Sequence, residues 1–503
     1  MVEPVLRRID PLGPLFALLG LGVFLIHGYG GVLTRDLSLY AYSGQQFADG
    51  VAPYVSVMNR AGPLAHIVPG IGAIIAGWLG TDDVLTQRVV MTVLSMITVW
   101  LMYALGRDLY RSKAAGAIAA STLLTIQGFM LYATGGPREK TTMVLMVTIA
   151  LYAVVHRRWG WAGAAIALAT LTWQPSFFVG SATALAAMSY LRGRDLGRAI
   201  LRFCIGGAIP TVLTMVGFAL WGAFGALIDG FLIINARYTN QGSIVGFLFD
   251  KPTAIYDGFG PSLWVLLAGL VLAVVNGVRL WRHSEDRDEP RVRAQIAIGF
   301  GVVISLLWSL RAFNGWADAM FVVPVAVLGF TVGVHRLVQW AGKPSLAAAA
   351  YCALALVLAG VNADYQSTAA LPMQRIVVKD VFRIAGQDAT VASIGGPMPL
   401  VLAHKTDPVR YQMFLDGFDR YVDDTYPGGL HGLAGYLATQ HPTFITMDYP
   451  QNYRSWLAPV LDQGYEYVGL SADMYWFART DLGAAKLEQL RTVIREHQIP
   501  ERR

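Results

Sequence analysis

Runs of about 20 apolar residues recur along most of this chain and are separated by short polar loops. A helix formed by such a run, for example Val84–Leu105, is long enough to cross the ~30 Å hydrocarbon core of a bilayer. Composition agrees, because 55% of the residues are hydrophobic and only 14% are charged, against about 25% charged in soluble proteins. The sequence therefore predicts a polytopic α-helical membrane protein.

Arginine is concentrated in alternate loops, such as residues 106–113, 156–158 and 281–293. Because basic residues are retained in cytoplasmic loops, this pattern predicts a cytoplasmic N-terminus, about 11 transmembrane helices and an extracytoplasmic C-terminus. Arg7 and Arg8 precede the first apolar run and predict an uncleaved anchor in a plasma or inner membrane. The net charge of +6 follows from the same loops, so no nucleic-acid partner is expected.

Three of the apolar segments matter for the later argument. The first span is predicted at Leu12–Gly28, with the following loop on the outer side. Pro63–Gly80 is rich in glycine and proline; a short span is the alternative, and we expect it to lie as a helix along the outer surface. The third span is predicted from about Ala114 to Tyr132.

The composition changes near residue 362, which predicts a transmembrane domain over residues 1–361 and a second domain over residues 362–503. The second domain contains runs typical of strands and stretches with helical spacing. These are Thr390–Ile394 and Thr443–Met447 for the strands, and Leu430–Gln440 and Leu482–His497 for the helices. Strands alternating with helices predict an extracytoplasmic α/β domain.

The first long outer loop, Thr34–His66, carries the main catalytic candidate, Asp36. An aspartate just beyond a span is commonly a helix cap or an interfacial charge. Asp36, however, opens a regular pattern of tyrosine, glycine and proline residues. The members of that pattern are Tyr40, Gly44, Gly50, Pro53-Tyr54 and Gly62-Pro63-Leu64.

This order resembles the first outer loop of the GT-C glycosyltransferases that use polyprenyl-phosphate sugars, which include protein O-mannosyltransferases and lipid A aminoarabinose transferases. Their signature is an acidic residue after the first span, a tyrosine one turn later, a G-x-x-P-Y motif and a K-P-P-L-like segment. Two positions depart from it. Leu37 follows Asp36 where many members have Asp-Glu, and Arg60 is the nearest cation to the missing lysine.

The resemblance implies an enzyme that moves a sugar from a polyprenyl-phosphate-linked donor, among membrane lipids, to a glycan, glycolipid or protein acceptor. Mannose is the default sugar, and a pentose such as arabinose is the alternative. Asp36 would act as general base on the acceptor hydroxyl or would position it, an effect typically of about 10²–10⁴-fold. Leu37 puts any mechanism that needs a paired acid in doubt.

A phosphate leaving group requires cations on the outer side, and arginine suits it because its fork can donate two hydrogen bonds at once. The alternative for each outer arginine is a side chain that reaches the lipid headgroups. Glu139 would be a second catalytic carboxylate, unless it only pairs with its neighbours. The candidates for binding the donor phosphate are Arg60, Arg138, Lys140, Arg237 and Arg311, with Arg237 preferred.

Several aromatic and amide side chains near the outer surface are candidates for a substrate groove, although Trp and Tyr are common at membrane interfaces for other reasons. They are Tyr40, Tyr54, Trp173, Gln174, Tyr238, Tyr256 and Trp316. Asp286-Arg287-Asp288 is a D-x-D triplet of the kind that binds a metal with a nucleotide sugar, but its loop is predicted to be cytoplasmic. The sequence therefore predicts no metal and no cofactor.

In the second domain, Ser393–Pro397 (SIGGP) resembles a phosphate-cradling turn, and we expect a plain turn. That domain would contact the acceptor or steady the outer loops. A lipid-linked-sugar transporter or flippase is the main rival function, and it would bury ionisable groups near the bilayer midplane. The predicted spans are nearly free of charge, which favours the transferase. An inactive assembly subunit is a third possibility.

Overall fold

The computed structural model describes residues 10–239, 242–250, 252–287, 289–414, 417–471 and 474–496. Arg7, Arg8 and Asp288 lie outside the described residues. The chain has a long helical region followed by a smaller region with a β-sheet.

In its described residues, the helical region has seventeen α-helices, a π-helix at Ile228–Tyr238 and a 3₁₀-helix at Trp316–Val322. The α-helices are α1 Leu12–His27, α2 Arg35–Ala48, α3 Leu64–Leu79, α4 Asp83–Tyr110, α5 Lys113–Thr125, α6 Gln127–Thr134, α7 Glu139–Val155, α8 Trp159–Thr170, α9 Ser176–Met188, α10 Gly193–Leu220, α11 Phe224–Leu227, α12 Ile244–Asp250, α13 Pro252–Phe259, α14 Ser262–His283, α15 Pro290–Arg311, α16 Val323–Trp340 and α17 Pro344–Gln366.

Among the described residues, six helices are long and apolar enough to cross a membrane, or seven if the bent pair α5–α6 forms one span. Three shorter apolar helices, α1, α3 and α9, accompany them. These helices confirm a multi-pass α-helical membrane protein. The exact number of spans, the surface position of α3 and the orientation of the chain stay predictions.

The third predicted span is not one helix. Helices α5 and α6 meet at an angle of 70°, with Ile126 in an extended conformation between them. The backbone N–H of Gln127, which the break removes from the helical hydrogen-bond ladder, donates to Ser262 Oγ at 3.0 Å. The break lies inside the predicted third span, and the contact from α14 stabilises it.

Glycine allows the close approach of several neighbouring helices. A Cβ atom on Gly206 of α10 would lie 1.9 Å from the carbonyl oxygen of Gly160 in α8. One on Gly269 of α14 would lie 2.1 Å from the carbonyl oxygen of Ala326 in α16. Small residues at these contacts bring backbones together, which is how helices associate where burial from water no longer drives them.

The sheet region follows α17 and has a four-stranded sheet with the order β1-β2-β4-β3. Its elements are α18 Ala370–Ala385, β1 Val391–Ile394, α19 Met398–Ala403, α20 Phe418–Thr425, α21 Gly429–Gln440, β2 Phe444–Met447, α22 Arg454–Gly464, β3 Tyr465–Ser471, β4 Met474–Arg479 and α23 Ala484–Glu496. Strands β1 and β2 are parallel, and β4 is antiparallel to both β2 and β3. Both predicted strands and both predicted helices are confirmed, whereas the β3–β4 hairpin was not predicted.

The sheet region is attached to α2, the helix that carries Asp36. The backbone N–H of Asp407 donates to the Tyr42 hydroxyl at 2.9 Å, and the Gln45 amide donates to the carbonyl oxygen of Val401 at 3.1 Å. Buried apolar residues of the two regions form one continuous core. The fold therefore fixes the first turn of α2 between the helical region and the sheet.

Candidate active site

The first turn of α2 holds Arg35 and Asp36 at the junction of the two regions. Thr34 precedes the helix in an extended conformation, and its side chain accepts from the backbone N–H of Leu37. A carboxylate in the first turn is favoured by the partial positive charge of the helix N-terminus. The Asp36 side chain remains 32% exposed, so it is accessible to a ligand.

Arg138, at the start of α7, is the main partner of Asp36. Its Nη1 lies 2.6 Å from Asp36 Oδ2, and its Nε lies 3.0 Å from Glu139 Oε2. The guanidinium carbon is 5.5 Å from the ring centroids of both Tyr40 and Tyr132. One arginine thus joins two carboxylates while two aromatic rings restrict its movement.

Lys140 lies deeper, behind Glu139. Its Nζ is 3.1 Å from Glu139 Oε1, 3.5 Å from Asp318 Oδ1 and 3.1 Å from the centroid of the Trp173 ring. Both Lys140 and Glu139 have side chains only 1% exposed. This lysine neutralises two carboxylates, and its burial leaves little room for a further anion.

The sheet region contributes through Arg35. Arg35 Nε lies 3.3 Å from Asp36 Oδ1, and Arg35 Nη1 lies 3.2 Å from Asp448 Oδ2 at the end of β2. The other oxygen of Asp448 accepts from the Tyr453 hydroxyl at 2.5 Å. We name the whole set the ionic cluster; its members are Arg35, Asp36, Arg138, Glu139, Lys140, Asp318 and Asp448.

The SIGGP turn at the end of β1 packs against this part of the cluster. Gly395 has a φ of +89°, and a Cβ atom there would lie 2.0 Å from Asp448 Oδ1. The neighbouring Gly396 lies against Arg35, with a Cβ position 3.0 Å from Arg35 Cγ. The turn therefore accommodates an aspartate and an arginine of the protein itself.

The ionic cluster lowers the pKa of the Asp36 carboxyl below its ordinary value of 3.8. Burial by itself raises this pKa, but the positive charges and hydrogen bonds of Arg138 and Arg35 lower it by more. Asp36 is consequently ionised at neutral pH. A carboxylate held by two arginines is a weak proton acceptor for as long as both contacts persist.

A cavity of about 330 Å³ opens beside this pair. Its wall includes Thr34, Asp36, Tyr132, Arg138 and Trp316. The Trp316 ring stacks on Tyr132 with centroids 5.1 Å apart and an interplanar angle of 7°. A charged pair and a flat aromatic surface thus face the same space, a combination suited to a phosphate and a sugar ring.

A second, mainly apolar cavity of about 560 Å³ lies next to the first. Phe259, Val265, Tyr351 and Leu358 are among its lining residues. Trp316 lies between the two cavities: its ring is part of the wall of the first, and it packs edge-on against Phe259 of the second, with ring centroids 5.5 Å apart. A ligand with a polar head and an apolar tail could occupy both.

Many of the residues predicted from sequence lie in or beside the ionic cluster. Arg60 lies 5.9 Å from the Trp173 ring centroid, and its carbonyl oxygen accepts from Gln174 at 2.9 Å. The structure brings together Asp36, Glu139, Arg138, Lys140, Tyr40, Trp173 and Trp316, with Arg60 and Gln174 at the edge.

Other predicted residues lie elsewhere. Tyr54 is fully buried and donates to the carbonyl oxygen of Ala61 at 2.6 Å. Tyr238 packs edge-on against Tyr421 of the sheet region at 5.3 Å. Arg237, Tyr256 and Arg311 are exposed. In the described part of the chain, no hydrogen bond or ion pair shown by the structure links Tyr54, Arg237, Tyr238 or Tyr256 to the cluster.

Sequence reasoning missed Arg35, Tyr132, Asp318, Asp448 and Tyr453. Arg35 is adjacent to Asp36, and Asp318 follows the Arg311–Trp316 stretch closely, so both had a local signal. Asp448 ends a predicted strand, but nothing local connects it to Arg35. Within the described residues, no group of three His, Cys, Asp or Glu side chains could hold a metal ion; metal independence stays a prediction.

No protein-family model matches this chain, and no curated protein matches it significantly. Among the solved structures that are similar to it are two of ArnT from Cupriavidus metallidurans. The apo structure has a TM-score of 0.58 and 14% sequence identity, covering 94% of this chain and 98% of that chain. The structure bound to undecaprenyl phosphate has a TM-score of 0.57 and 13% identity, with the same coverage. This likeness shows the fold, and its helical region followed by a small sheet region agrees with the predicted fold class.

Proposed function

We propose that the protein is a membrane glycosyltransferase that moves a sugar from a polyprenyl-phosphate carrier to a hydroxyl group of a glycan, glycolipid or protein. The observation that carries this proposal is the contact between Asp36 and Arg138 on the wall of one cavity. The fold adds support, because it is shared with a protein solved in complex with undecaprenyl phosphate.

Arg138 is the residue that we assign to the donor phosphate. It lines the cavity, its side chain is 12% exposed, and its guanidinium can bind a phosphate through two parallel hydrogen bonds. Lys140, by contrast, is enclosed by Glu139, Asp318 and Trp173. Its role in the proposal is to neutralise those carboxylates and so keep Arg138 available.

In the reaction, the donor phosphate would replace Asp36 as the main partner of Arg138. The pKa of Asp36 then rises towards its ordinary range, because one positive neighbour now faces another anion. Asp36 accepts the proton of the acceptor hydroxyl, whose oxygen forms a new bond to the anomeric carbon. The bond from that carbon to the phosphate oxygen breaks with inversion, and Arg138 stabilises the negative charge that develops on the phosphate.

The apolar cavity would receive the first isoprene units of the carrier. Phe259, Val265 and Leu358 line it, and Phe259 contacts Trp316, which lines the cavity of the charged pair. Trp316 would separate the phosphate from the tail. The proposal places this site on the extracytoplasmic side of a plasma or inner membrane, with the sheet region in the same compartment. Mannose or a pentose remains the predicted sugar.

The test is sugar transfer by the purified protein in lipid, supplied with synthetic polyprenyl-phosphate mannose or polyprenyl-phosphate arabinose and a membrane extract as acceptor source. Asp36→Asn should reduce transfer by about 10²–10⁴-fold. Asp49→Asn is the matched control, because Asp49 is an exposed carboxylate at the end of the same helix. A second assay follows movement of the lipid-linked sugar across vesicle membranes.

Loss of transfer in Asp36→Asn alone supports the proposal. Absence of transfer from either donor by the parent protein, together with transport of the lipid-linked sugar that Asp36→Asn leaves unchanged, would overturn it in favour of a flippase.

A further inference from the structure

A second charged cavity, of about 250 Å³, lies at the far end of the helical region from the sheet. Helix α4 shows the separation. At its start, Asp82 pairs with Arg375 of the sheet region, with Nη1 2.7 Å from Oδ2, whereas Arg111, which lines the cavity, directly follows its last residue. A 28-residue helix is about 42 Å long, so this cavity lies at the opposite end of α4 from the sheet region and the ionic cluster.

The cavity lies between the ends of α4, α14, α15 and α16, and we name it the basic cavity. Its wall contains three arginines, Arg111, Arg291 and Arg336, and one carboxylate, Glu289. Glu289 forms an ion pair with Arg111. In the described part of the chain, no carboxylate forms an ion pair with Arg291 or Arg336. The wall therefore carries excess positive charge.

Neutral side chains hold Arg336 in position. Its Nη2 donates to Asn276 Oδ1 at 2.7 Å, and Asn276 Nδ2 donates in turn to Gln295 Oε1 at 3.1 Å. Asn276 is only 4% exposed. An amide can orient a guanidinium but cannot neutralise it, so the charge of Arg336 remains available to an anion.

The surroundings of the basic cavity are those of a membrane interface. Leu337 and Trp340, on the same last turns of α16, are 63% and 82% exposed, and tryptophan is enriched where headgroups meet hydrocarbon. The positive-inside bias explains arginines on one membrane face. It does not explain why they converge on a cavity large enough to hold several waters, each of which takes about 30 Å³ in the liquid.

We propose that the basic cavity binds the phosphate of an anionic phospholipid headgroup from the adjacent leaflet. Basic pockets between transmembrane helices are suited to such headgroups, and Arg336 and Arg291 offer planar forks for phosphate oxygens. Bound lipid would connect α4, α14, α15 and α16 at the end where α15 begins. This inference does not depend on the proposed transfer reaction.

The experiment measures thermal unfolding of the purified full-length protein in neutral detergent with added lipid. Phosphatidylglycerol should raise the unfolding temperature, whereas phosphatidylcholine and millimolar inorganic phosphate should not. Arg336→Gln and Arg291→Gln should each weaken lipid binding, so that the half-saturating lipid concentration rises about five-fold. Arg282→Gln is the matched control, because Arg282 is an exposed arginine near the end of α14 and does not line the cavity.

Four outcomes would overturn the proposal. These are an equal shift with phosphatidylcholine, an equal shift with inorganic phosphate alone, unchanged lipid dependence in both cavity variants, or an equal loss in Arg282→Gln. Arg336→Gln breaks a hydrogen bond to buried Asn276 and can lower stability by itself. Arg291→Gln separates the two effects, since no hydrogen bond or ion pair shown for the described residues involves its side chain, and native mass spectrometry of retained phosphatidylglycerol gives an independent reading.

Discussion

The arginines at the two ends of the helical region differ in their partners. Arg138 contacts two carboxylates at 2.6 and 3.0 Å, whereas Arg336 is held by the amide of Asn276 at 2.7 Å. A carboxylate partner fixes the position of an arginine and neutralises its charge, whereas an amide partner fixes its position and leaves the positive charge uncompensated. We therefore expect an anionic ligand at the ionic cluster to displace a carboxylate that already pairs with an arginine. An anionic ligand at the basic cavity would instead supply a negative charge that the protein does not provide.

The largest effect should follow from changing Arg138. Arg138→Gln removes the cation assigned to the leaving phosphate, and transfer should fall by about 10²–10³-fold. Arg138→Lys keeps a point charge but not the bidentate fork, so it should recover only part of that loss. Initial rates with polyprenyl-phosphate sugar measure both variants. Rates within three-fold of the parent for Arg138→Gln would contradict the assignment.

Lys140 should matter mainly for stability. Lys140→Met removes the ammonium group that pairs with both Glu139 and Asp318. Breaking a buried ion pair typically costs about 3–5 kcal/mol in the free energy of unfolding. Thermal unfolding measures the loss. Adding Glu139→Gln removes one of the stranded charges, so the double variant should be less destabilised than the sum of the two single variants. Simple additivity would show that the pair is not coupled.

Replacing Arg35 should change the pH dependence of sugar transfer more than it changes the maximal transfer rate. Burial raises the pKa of Asp36, but the two arginines lower it by more, so the parent should keep Asp36 ionised down to below pH 3.8. Removing one positive charge in Arg35→Gln raises the pKa of Asp36. The acid limb of kcat/KM against pH should therefore move to higher pH.

Arg375→Gln is the control for that experiment, because Arg375 also pairs with an aspartate, Asp82, but outside the ionic cluster. Its acid limb should coincide with that of the parent. An equal displacement of the limb in both variants would mean that the pH dependence reports general stability and not the charge state of Asp36.

The smallest effect on transfer should come from the basic cavity. Arg336→Gln should leave the initial rate in lipid-saturated conditions within about two-fold of the parent, because the two sites lie towards opposite ends of α4, which is about 42 Å long. Rates measured in phosphatidylglycerol and phosphatidylcholine nanodiscs provide the comparison. A ten-fold loss in both lipids would show that the two ends are not independent.

Part of this organisation could be read from the sequence because its determinants are local. Asp36 and Glu139 stand next to apolar runs, and β1 and β2 are β-branched runs with clear ends. The bend at Ile126 could not be read from the sequence, because no proline marks it, Gly128 lies two residues beyond it inside α6, and its support comes from Ser262 in α14. The β3–β4 hairpin had a local signal in its aromatic alternation, which the sequence reading did not use.

The contact between Arg35 and Asp448 could not be predicted from sequence for a different reason. These residues are 413 positions apart, and their contact depends on how the sheet region sits on α2. The same applies to Arg138, which sequence ranked equally with other cations and below Arg237. Only the arrangement of α2 and α7 brings Arg138 next to Asp36, while Arg237 precedes a segment that packs against Tyr421 of the sheet region.

The most direct test of the central claim is an experimental structure of the protein in lipid with bound polyprenyl phosphate. The account predicts the phosphate in the 330 Å³ cavity, with its oxygens about 2.7–2.9 Å from the Arg138 guanidinium and the tail leading past Trp316 towards Phe259. A phosphate bound instead at Arg237 or Arg311, with Arg138 still on Asp36, would contradict it.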